Sequence, residues 1–211
     1  MLKYRAKTPW WLKKAFPKSF IWEMPPSREP TVYITFDDGP HPTATPFVLG
    51  LMDQYDAKAT FFCVGHNVYK YPDVYQQIIT KGHSPANHTY NHMNGWMTPT
   101  DTYIDNIYQA ATYIQSPLIR PPYGKLRPSQ WRRLLHAPTD WKVIMWDVLS
   151  ADFDHEITPQ QCLDNVLQHI RPGSIVLFHD SEKSWQRMSY ALPRVMEYCK
   201  NKGWKMKAIP V

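Results

Sequence analysis

The sequence predicts a single α/β domain, and two observations carry that prediction. From about residue 31 onward, short runs of β-branched and aromatic residues alternate with amphipathic stretches, as strands and helices do in α/β proteins. The chain has 211 residues, which suits one medium-sized domain. No repeat, linker or low-complexity segment divides it. We therefore expect one domain over residues 30–211, preceded by an N-terminal extension over residues 1–29.

The elements follow in order along the alternating pattern. Strands are expected at 31–36, 59–64, 118–120, 142–146, 174–178 and 204–208. Helices are expected in the stretch that ends near Tyr55 and at 72–81, 100–114, 128–135, 159–169 and 189–202. Thr100, Thr158 and Ser189 are predicted helix caps, and Pro159 suits a first helical position.

Composition excludes several classes of protein. Hydrophobic residues make up 43% and charged residues 20%, as in soluble globular domains and unlike disordered chains. The longest apolar runs, 143–146 and 174–178, are far shorter than the roughly 20 residues that cross a bilayer. Cys63, Cys162 and Cys199 form no CxxC pair and lie in apolar segments, which predicts buried thiols rather than disulfides or a cysteine zinc site.

The formal net charge is +6, and the basic excess lies near the two ends of the chain. Such ends can make weak contact with an anionic surface, although solvated termini are the simpler interpretation. No nucleic-acid-binding motif accompanies the charge. The first 20 residues lack the apolar core of a signal peptide, and the cysteines are unpaired. Together these features predict a cytoplasmic location.

Reactive side chains follow four of the predicted strands. Because the carboxyl ends of parallel strands meet at one edge of a sheet or barrel, we expect these side chains to form a single cleft. They are Asp37 and Asp38, Arg120, Asp147 and Asp152, and His179 and Asp180.

These residue types suit metal-assisted hydrolysis. Asp37 and Asp38 are adjacent, so on an extended backbone their side chains leave on opposite faces and can do different jobs. His88 and His92 are four residues apart, a spacing that on a helical turn brings two imidazoles to one cation. Two histidines and one carboxylate form a ligand set with open positions, typical of hydrolytic zinc and of non-haem iron. His179 suits a general acid if a carboxylate tunes its pKa.

The motifs TFDDGPH, HTYNH, RPPYG, LSADF and LFH occur in this order. In order and approximate spacing they resemble the five motifs of the polysaccharide deacetylase family, also called carbohydrate esterase family 4 or the NodB-homology domain. The resemblance covers about residues 30–210. It implies a distorted, often incomplete (β/α) barrel and an enzyme of carbohydrate metabolism that removes N- or O-acetyl groups from chitin, peptidoglycan, xylan or related glycans.

The same resemblance implies a role for each matching residue. It implies one divalent metal, with zinc expected and cobalt or nickel as alternatives, held by Asp38, His88 and His92. Asp37 resembles the general base and Arg120 the residue that holds it, while the backbone N–H of Tyr123 resembles the oxyanion donor. His179 resembles the general acid, with Asp152 as its partner. Leu177 would line the pocket for the acetyl methyl group, Phe153 and Pro121 would contact substrate, and Thr89 would brace the histidine loop.

Two departures from the family pattern bear on these roles. Pro85-Ala86 stands where Ile-Gly is usual before the Asn-His pair, which removes a backbone donor close to the histidines. The fourth motif usually reads DxxDW, and alignment through Asp152 puts Leu149 at the first aspartate and Phe153 at the tryptophan. Asp147 offers a different alignment of that motif.

Three functions are weighed on this basis. The first is an N-deacetylase that acts on an amino-sugar glycan of the chitin-oligosaccharide or peptidoglycan type, or on its precursor. The second is an O-acetyl esterase on the same scaffold. The third is a catalytically weakened, metal-containing protein that only binds glycans, and the Pro85-Ala86 departure favours it.

Overall fold

Parallel strands form the centre of the computed structural model, which describes residues 5–210. Met1–Tyr4, including the basic Lys3 of the predicted extension, and Val211 lie outside the described residues. The strands are β1 (Phe20–Ile21), β2 (Thr31–Asp37), β3 (Thr60–Cys63), β4 (Ser84–Asn87), β5 (Leu118–Ile119), β6 (Lys142–Ile144), β7 (Val148–Leu149), β8 (Ile175–His179) and β9 (Lys205–Met206). The helices are α1 (Trp10–Ala15), α2 (Ala44–Gln54), α3 (Gly65–Lys70), α4 (Pro72–Thr80), α5 (Thr100–Ala111), α6 (Pro128–Leu135), α7 (Pro159–Leu167) and α8 (Trp185–Asn201).

The sheet is a curled, open barrel with helices around it. Its strand order is β1-β6-β5-β4-β3-β2-β8-β7, with β9 pairing β2 as well, and every one of these pairs is parallel. The open seam lies between β1 and β7, at the two ends of this order. The predicted fold class, a single-domain α/β protein with a distorted and incomplete barrel, is confirmed.

The central strands carry the core and point their carboxyl ends at one place. All seven residues of β2 are buried, because β3 and β8 flank it and helices cover it. The register places Asp37 of β2 opposite His179 of β8 and opposite Phe62 of β3. The rings of Phe61 and Phe178 stack on either side of the Phe36 ring across the three strands. Their centroids lie 5.1 and 6.3 Å from the Phe36 centroid.

Several short elements were not predicted. The sequence of β4 is SPAN, which has no β-branched or aromatic residue, yet it pairs with β3 in register, Phe61 opposite Pro85. Strands β1 and β7 have two residues each, so no alternating pattern can show them. Helices α1 and α3 have six residues each and carry no side-chain cap to mark their starts.

The predicted caps are right at one helix of three. Thr158 caps α7, accepting a hydrogen bond from the backbone N–H of Gln161 at 3.1 Å, and Pro159 is the first helical residue. The cap of α5 is Pro99, so Thr100 is already helical. Helix α8 begins at Trp185, which places Ser189 inside it, and it continues through Pro193.

The N-terminal segment, residues 5–24, lies along the open seam of the sheet. The Thr8 N–H donates to the carbonyl of Asp147 at 2.9 Å, and the Leu149 N–H donates to the carbonyl of Ala6 at 2.7 Å. Further along, β1 pairs with β6. The segment thus contacts both edges of the open barrel.

A buried carboxylate anchors this segment. The Nζ atoms of Lys7 and Lys13 each lie 2.5 Å from an oxygen of Asp147, and the Ser174 hydroxyl donates to the same carboxylate at 2.8 Å. Burial opposes ionisation of Asp147, but the two ammonium groups outweigh it and lower its pKa. Asp147 therefore binds the N-terminal segment, and the predicted cleft does not include it.

No helix among residues 5–210 is both long and apolar enough to cross a membrane.

Candidate active site

Three predicted metal ligands meet at the carboxyl ends of β2 and β4. One ligand atom from each of Asp38, His88 and His92 lies within 4.8 Å of the other two. Asp38 Oδ1 is 3.1 Å from Nε2 of His92 and 3.8 Å from Nε2 of His88. This oxygen is buried yet accepts no well-aligned hydrogen bond, which is the condition of a carboxylate oxygen that faces a cation site. The set fits a divalent metal.

The charge states of Asp38 and His88 suit metal binding. Burial opposes ionisation of Asp38, but the imidazoles of His92, His179 and His88 hold its pKa well below the usual range. Burial lowers the pKa of His88 to about 4, so its ring is neutral near pH 7. The Nδ1 of His88 lies 2.7 Å from the carbonyl oxygen of Arg120, which can only accept, so Nδ1 carries the proton. The lone pair of Nε2 therefore faces Asp38, the arrangement of a metal-binding histidine.

The loop that carries the histidines differs from the predicted helical turn. Residues 88–92 follow β4 without helical structure, and Thr89 and His92 have φ of 62° and 53°. The Thr89 hydroxyl accepts a hydrogen bond from the Met93 N–H at 3.2 Å, and the Thr89 N–H donates to the Asn87 side chain at 2.8 Å. Two residues in the left-handed conformation, rather than one helical turn, bring the two imidazoles together, with their ring centroids 5.1 Å apart.

The two adjacent aspartates also differ from the extended geometry. Asp38 has φ of 79°, so its side chain does not leave on the face opposite to that of Asp37. Oδ2 of Asp37 and Oδ1 of Asp38 lie 3.7 and 3.8 Å from Nε2 of His88. Both carboxylates therefore face the same cluster.

Arg120 is fully buried and holds Asp37. Its Nη1 donates to Asp37 Oδ1 at 2.7 Å and to the Thr35 hydroxyl at 2.9 Å. Nε and Nη2 donate to the carbonyls of Ile144 and Met145, and the guanidinium lies 4.0 Å from the ring centroid of Phe62. Every nitrogen of the group is engaged, so Arg120 fixes one oxygen of Asp37 and leaves the other facing the metal cluster.

His179 and Asp152 form a buried pair on the other side of the cluster. Asp152 accepts from His179 twice, from Nδ1 and from the backbone N–H, at 2.7 Å each. Burial opposes protonation of His179, but the Asp152 carboxylate outweighs it and raises the His179 pKa to about 9. The imidazole is therefore protonated near pH 7, with Nε2–H available to a substrate. This geometry selects Asp152 over Asp147 as the aspartate beside the histidine.

Apolar side chains border the pair. Leu177 packs with Leu149 and Ala151, and Trp146, Phe153 and Ile157 contact this cluster. The Phe153 ring meets the His179 ring edge-on at 5.3 Å between centroids. Leu177 and Phe153 therefore lie next to His179.

The Pro121–Lys125 turn closes the remaining side. Pro121 and Pro122 are buried and lead into Tyr123, whose φ is 60° and whose side chain is 60% exposed. The Tyr123 ring stands edge-on to the His92 ring at 4.7 Å between centroids. The turn thus places Tyr123 beside the metal cluster, while Pro121 is a buried part of its base.

The Pro85-Ala86 departure does not separate the ligands. Strand β4 pairs with β3 along its length, and the His88 N–H donates to the carbonyl of Cys63 at 2.9 Å. The histidines therefore reach Asp38 with proline and alanine at these positions.

Sequence reasoning left two supporting residues without a role. Arg187 of α8 is buried, and its Nε donates to the carbonyl of Asp152 at 2.7 Å. Asp180 accepts from the Gly39 N–H at 3.1 Å and contacts the Thr45 hydroxyl at 2.5 Å, which fixes the turn after Asp38. A Cβ atom at Gly39 would lie 2.1 Å from Asp180 Oδ2, so this close approach requires glycine. Asp180 is next to His179 in the sequence, but Arg187 lies before the predicted helix 189–202 and belongs to no motif.

Four further histidines take no part in the cluster. His83 is buried, and its Nδ1 accepts from the Ala59 N–H at 3.2 Å. His155 lies 3.1 Å from Nη2 of Arg187, and the His66 ring contacts that of Tyr90. The Nδ1 of His41 accepts from backbone N–H groups at the start of α2.

Comparison with known proteins identifies the family. The polysaccharide deacetylase family profile matches residues 25–137, more than half of the chain. The chain belongs to the polysaccharide deacetylase family. The expected class of enzyme, a deacetylase among the hydrolases, is thereby confirmed.

Relatives and solved structures agree with this assignment. A peptidoglycan-N-acetylglucosamine deacetylase of Bacillus cereus is 29% identical over 93% of this chain and 94% of its own. A chitooligosaccharide deacetylase of Bradyrhizobium is 34% identical over 71% of this chain and 70% of its own. A crystal structure of a peptidoglycan N-acetylglucosamine deacetylase, in complex with a naphthyl-substituted N-hydroxybenzamide, superposes with a TM-score of 0.85 at 29% identity, covering 96% of this chain and 95% of that one.

Proposed function

We propose that this member of the family is a metal-dependent hydrolase that removes N-acetyl groups from an amino-sugar glycan of the peptidoglycan or chitin-oligosaccharide type, or from its precursor. The observation that carries the proposal is the protonated His179–Asp152 pair, which faces the Asp38–His88–His92 cluster beside Asp37. An amide needs its leaving nitrogen protonated, and a protein that only binds glycans needs no such acid.

Asp38, His88 and His92 would hold the metal, for which a set of two imidazoles and one carboxylate favours zinc. When bound, the metal supplies Lewis acidity that activates water and polarises the acetyl carbonyl. Zinc, cobalt and nickel can be compared directly by loading the metal-free protein with each in turn.

Asp37 acts as the general base. Arg120 binds its Oδ1, so Oδ2 remains to accept the proton of the attacking water. Because Arg120 is fixed by two backbone carbonyls and by Thr35, the base cannot rotate away from the cluster. The backbone N–H of Tyr123 donates to the oxyanion that develops on the acetyl carbonyl oxygen.

His179 acts as the general acid. Its Nδ1–H is held by Asp152, so the proton on Nε2 is the one delivered to the departing amine. Leu177 and Phe153 line the space for the acetyl methyl group, and Pro121 supports the turn on the substrate side. Residues 30–211 carry this machinery as the catalytic domain.

The proposal is tested by acetate release. Purified, zinc-loaded protein is incubated with matched N-acetylated and O-acetylated oligosaccharides, and Asp37→Asn serves as the inactive control. We expect acetate from the N-acetylated set only, and none with the control. Release from esters alone would favour the O-acetyl esterase, and no release with metal bound would favour a binding protein.

The expected compartment is a reducing one. Cys63, Cys162 and Cys199 are all free and buried among the described residues, as expected, and burial raises the pKa of Cys199 to about 12. Such thiols suit the cytoplasm, and cell fractionation followed by immunodetection of the chain tests this.

A further inference from the structure

A cavity of about 390 Å³ lies between the N-terminal segment and the Pro121–Lys125 turn. Leu12, Phe16 and Trp22 border it on one side, and Trp96, Tyr123 and Trp146 border it on the other. Its volume is in the range of small-molecule sites. None of the active-site roles above uses the N-terminal side of this cavity.

The cavity adjoins the active site, because two residues that border it also contact residues of the site. Tyr123 borders it and also contacts the ring of the metal-cluster residue His92, 4.7 Å away. Trp146 borders it too, lies 6.0 Å from the guanidinium of Arg120, and packs on the cluster that contains Leu177. A group bound in the cavity would therefore lie beside the sugar whose acetyl group is hydrolysed.

The lining favours a ring with an apolar face. Trp11 and Trp96 are 55% and 58% exposed, so each presents indole surface that can pack on the C–H face of a pyranose. Gly124 leaves room for the Trp146 ring on this side of the cavity, because a Cβ there would lie 2.8 Å from that ring.

The charges of the lining favour an anion. Arg5 and Lys125 border the cavity, and no carboxylate does so among residues 5–210. Lys125 Nζ lies 5.2 Å from the centroid of the Trp96 ring, which keeps the ammonium at the cavity. Arg5 is exposed and free to bind a carboxylate in a bidentate manner.

We propose that this cavity is a subsite for a sugar of the same glycan that carries a carboxylate, next to the N-acetylated sugar that is hydrolysed. Tryptophan faces pack on the ring, and Arg5 and Lys125 bind the carboxylate. The proposal rests on the proposed deacetylase function and names its substrate class: an acidic glycan rather than a neutral homopolymer.

The test compares two N-acetylated tetrasaccharides of equal length. One is a neutral N-acetylglucosamine tetramer, and the other is a glycan-strand tetramer in which alternate sugars carry a free lactyl carboxylate. The wild type, Arg5→Gln/Lys125→Gln and the charge-matched control Lys200→Gln/Lys205→Gln are assayed on both. Lys200 and Lys205 lie on α8 and β9, outside the cavity.

We expect the ratio of kcat/KM values, acidic over neutral, to fall about tenfold in Arg5→Gln/Lys125→Gln and to stay at the wild-type value in the control, since two exposed ion pairs contribute about this factor. An unchanged ratio, or an equal fall in the control, would overturn the subsite. Loss on both substrates alike would also overturn it while leaving the deacetylase function intact.

A binding measurement separates the subsite from turnover. Tryptophan fluorescence of Asp37→Asn is titrated with the acidic tetramer, with and without the Arg5→Gln/Lys125→Gln changes. We expect about tenfold weaker binding with them. Equal binding of the acidic tetramer with and without the Arg5→Gln/Lys125→Gln changes would contradict the subsite, even where no acetate is released. If the wild type releases no acetate but binding weakens as expected, only the deacetylase function is contradicted.

Discussion

Each reacting side chain is held by a second residue that removes its freedom to turn. Arg120 holds Asp37, the Arg120 carbonyl holds His88, and Asp152 holds His179. Arg120 thus orients the proposed base through its guanidinium and a proposed metal ligand through its backbone. A site assembled in this way needs little rearrangement when substrate binds.

Replacement of the base separates metal binding from turnover. In Asp37→Asn the cluster of Asp38, His88 and His92 is unchanged, so we expect one bound metal per chain by elemental analysis. The amide cannot accept a proton, and we expect kcat to fall about 10²- to 10⁴-fold. A variant that retains its wild-type kcat would remove Asp37 from the role of base.

The His179–Asp152 pair links activity to pH. The acid must be protonated, and its pKa of about 9 predicts that kcat declines as the pH rises through about 9. Asp152→Asn removes the group that raises this pKa, so the decline should move to lower pH. Because the folded-state pKa is raised, the contribution of the pair to stability is present below about pH 6.5 and is lost as the pH rises to about 9.

The pH–rate profile of Asp152→Asn, measured beside that of Asp73→Asn, tests this link. Asp73 is an exposed residue in the first turn of α4, and its replacement should leave the profile unchanged. If kcat declines at the same alkaline pH in the wild type, Asp152→Asn and Asp73→Asn, His179 is excluded as the acid.

At the scale of elements, the N-terminal segment is the least regular part and yet is firmly bound. It makes backbone hydrogen bonds beside β7, pairs β1 with β6, and fixes two lysines on the buried Asp147. Phe16 and Phe20 pack on the core, whereas Trp10 and Trp11 are exposed.

Removal of both lysines should weaken this attachment. Lys7→Met/Lys13→Met leaves Asp147 buried with only the Ser174 hydroxyl as a partner, and we expect the free energy of unfolding to fall by about 3 kcal/mol. Chemical denaturation measures it. Adding Asp147→Asn removes the unpaired charge and should restore part of the loss; no recovery would mean that the lysines act through packing alone.

Much of the element pattern was predictable from the sequence, and so were the residues of the site. The long strands and the helices at 72–80, 128–135 and 159–167 follow from periodicity and proline positions. The sequence motifs contain the side chains that meet at the candidate site. The local geometry was not predictable, because positive φ at Asp38, Thr89 and His92 depends on tertiary contacts. The contact of Arg187 with Asp152 and the contacts of Asp147 with Lys7 and Lys13 each join residues more than 30 positions apart. No local sequence pattern encodes such contacts.

At the scale of the whole molecule, part of the basic excess has internal partners. Lys7 and Lys13 bind Asp147, and Lys207 lies 3.0 Å from Glu29. The positive charge available to an anionic surface is therefore smaller than the sequence indicates. Two further basic residues, Arg5 and Lys125, line the cavity beside the active site.

Metal binding should stabilise the whole fold, because the proposed ligands follow β2 and β4 in the chain and converge only in the folded state. At 100 times its dissociation constant, zinc adds about 2.7 kcal/mol to the free energy of unfolding. We expect a higher Tm with zinc for the wild type in calorimetry, and little change for His88→Ala or His92→Ala. An equal rise in these variants would place the metal elsewhere.

The contact between Gly39 and Asp180 joins the first motif of the chain to the last. Any side chain at position 39 would collide with the Asp180 carboxylate, while Asp180 fills the space that the glycine leaves and binds its N–H. Neither position can therefore vary alone without loss. Across the family we expect the two to covary, a glycine at one position accompanying an aspartate at the other, so that this pair would mark the family in an alignment even where the proposed catalytic residues have been replaced.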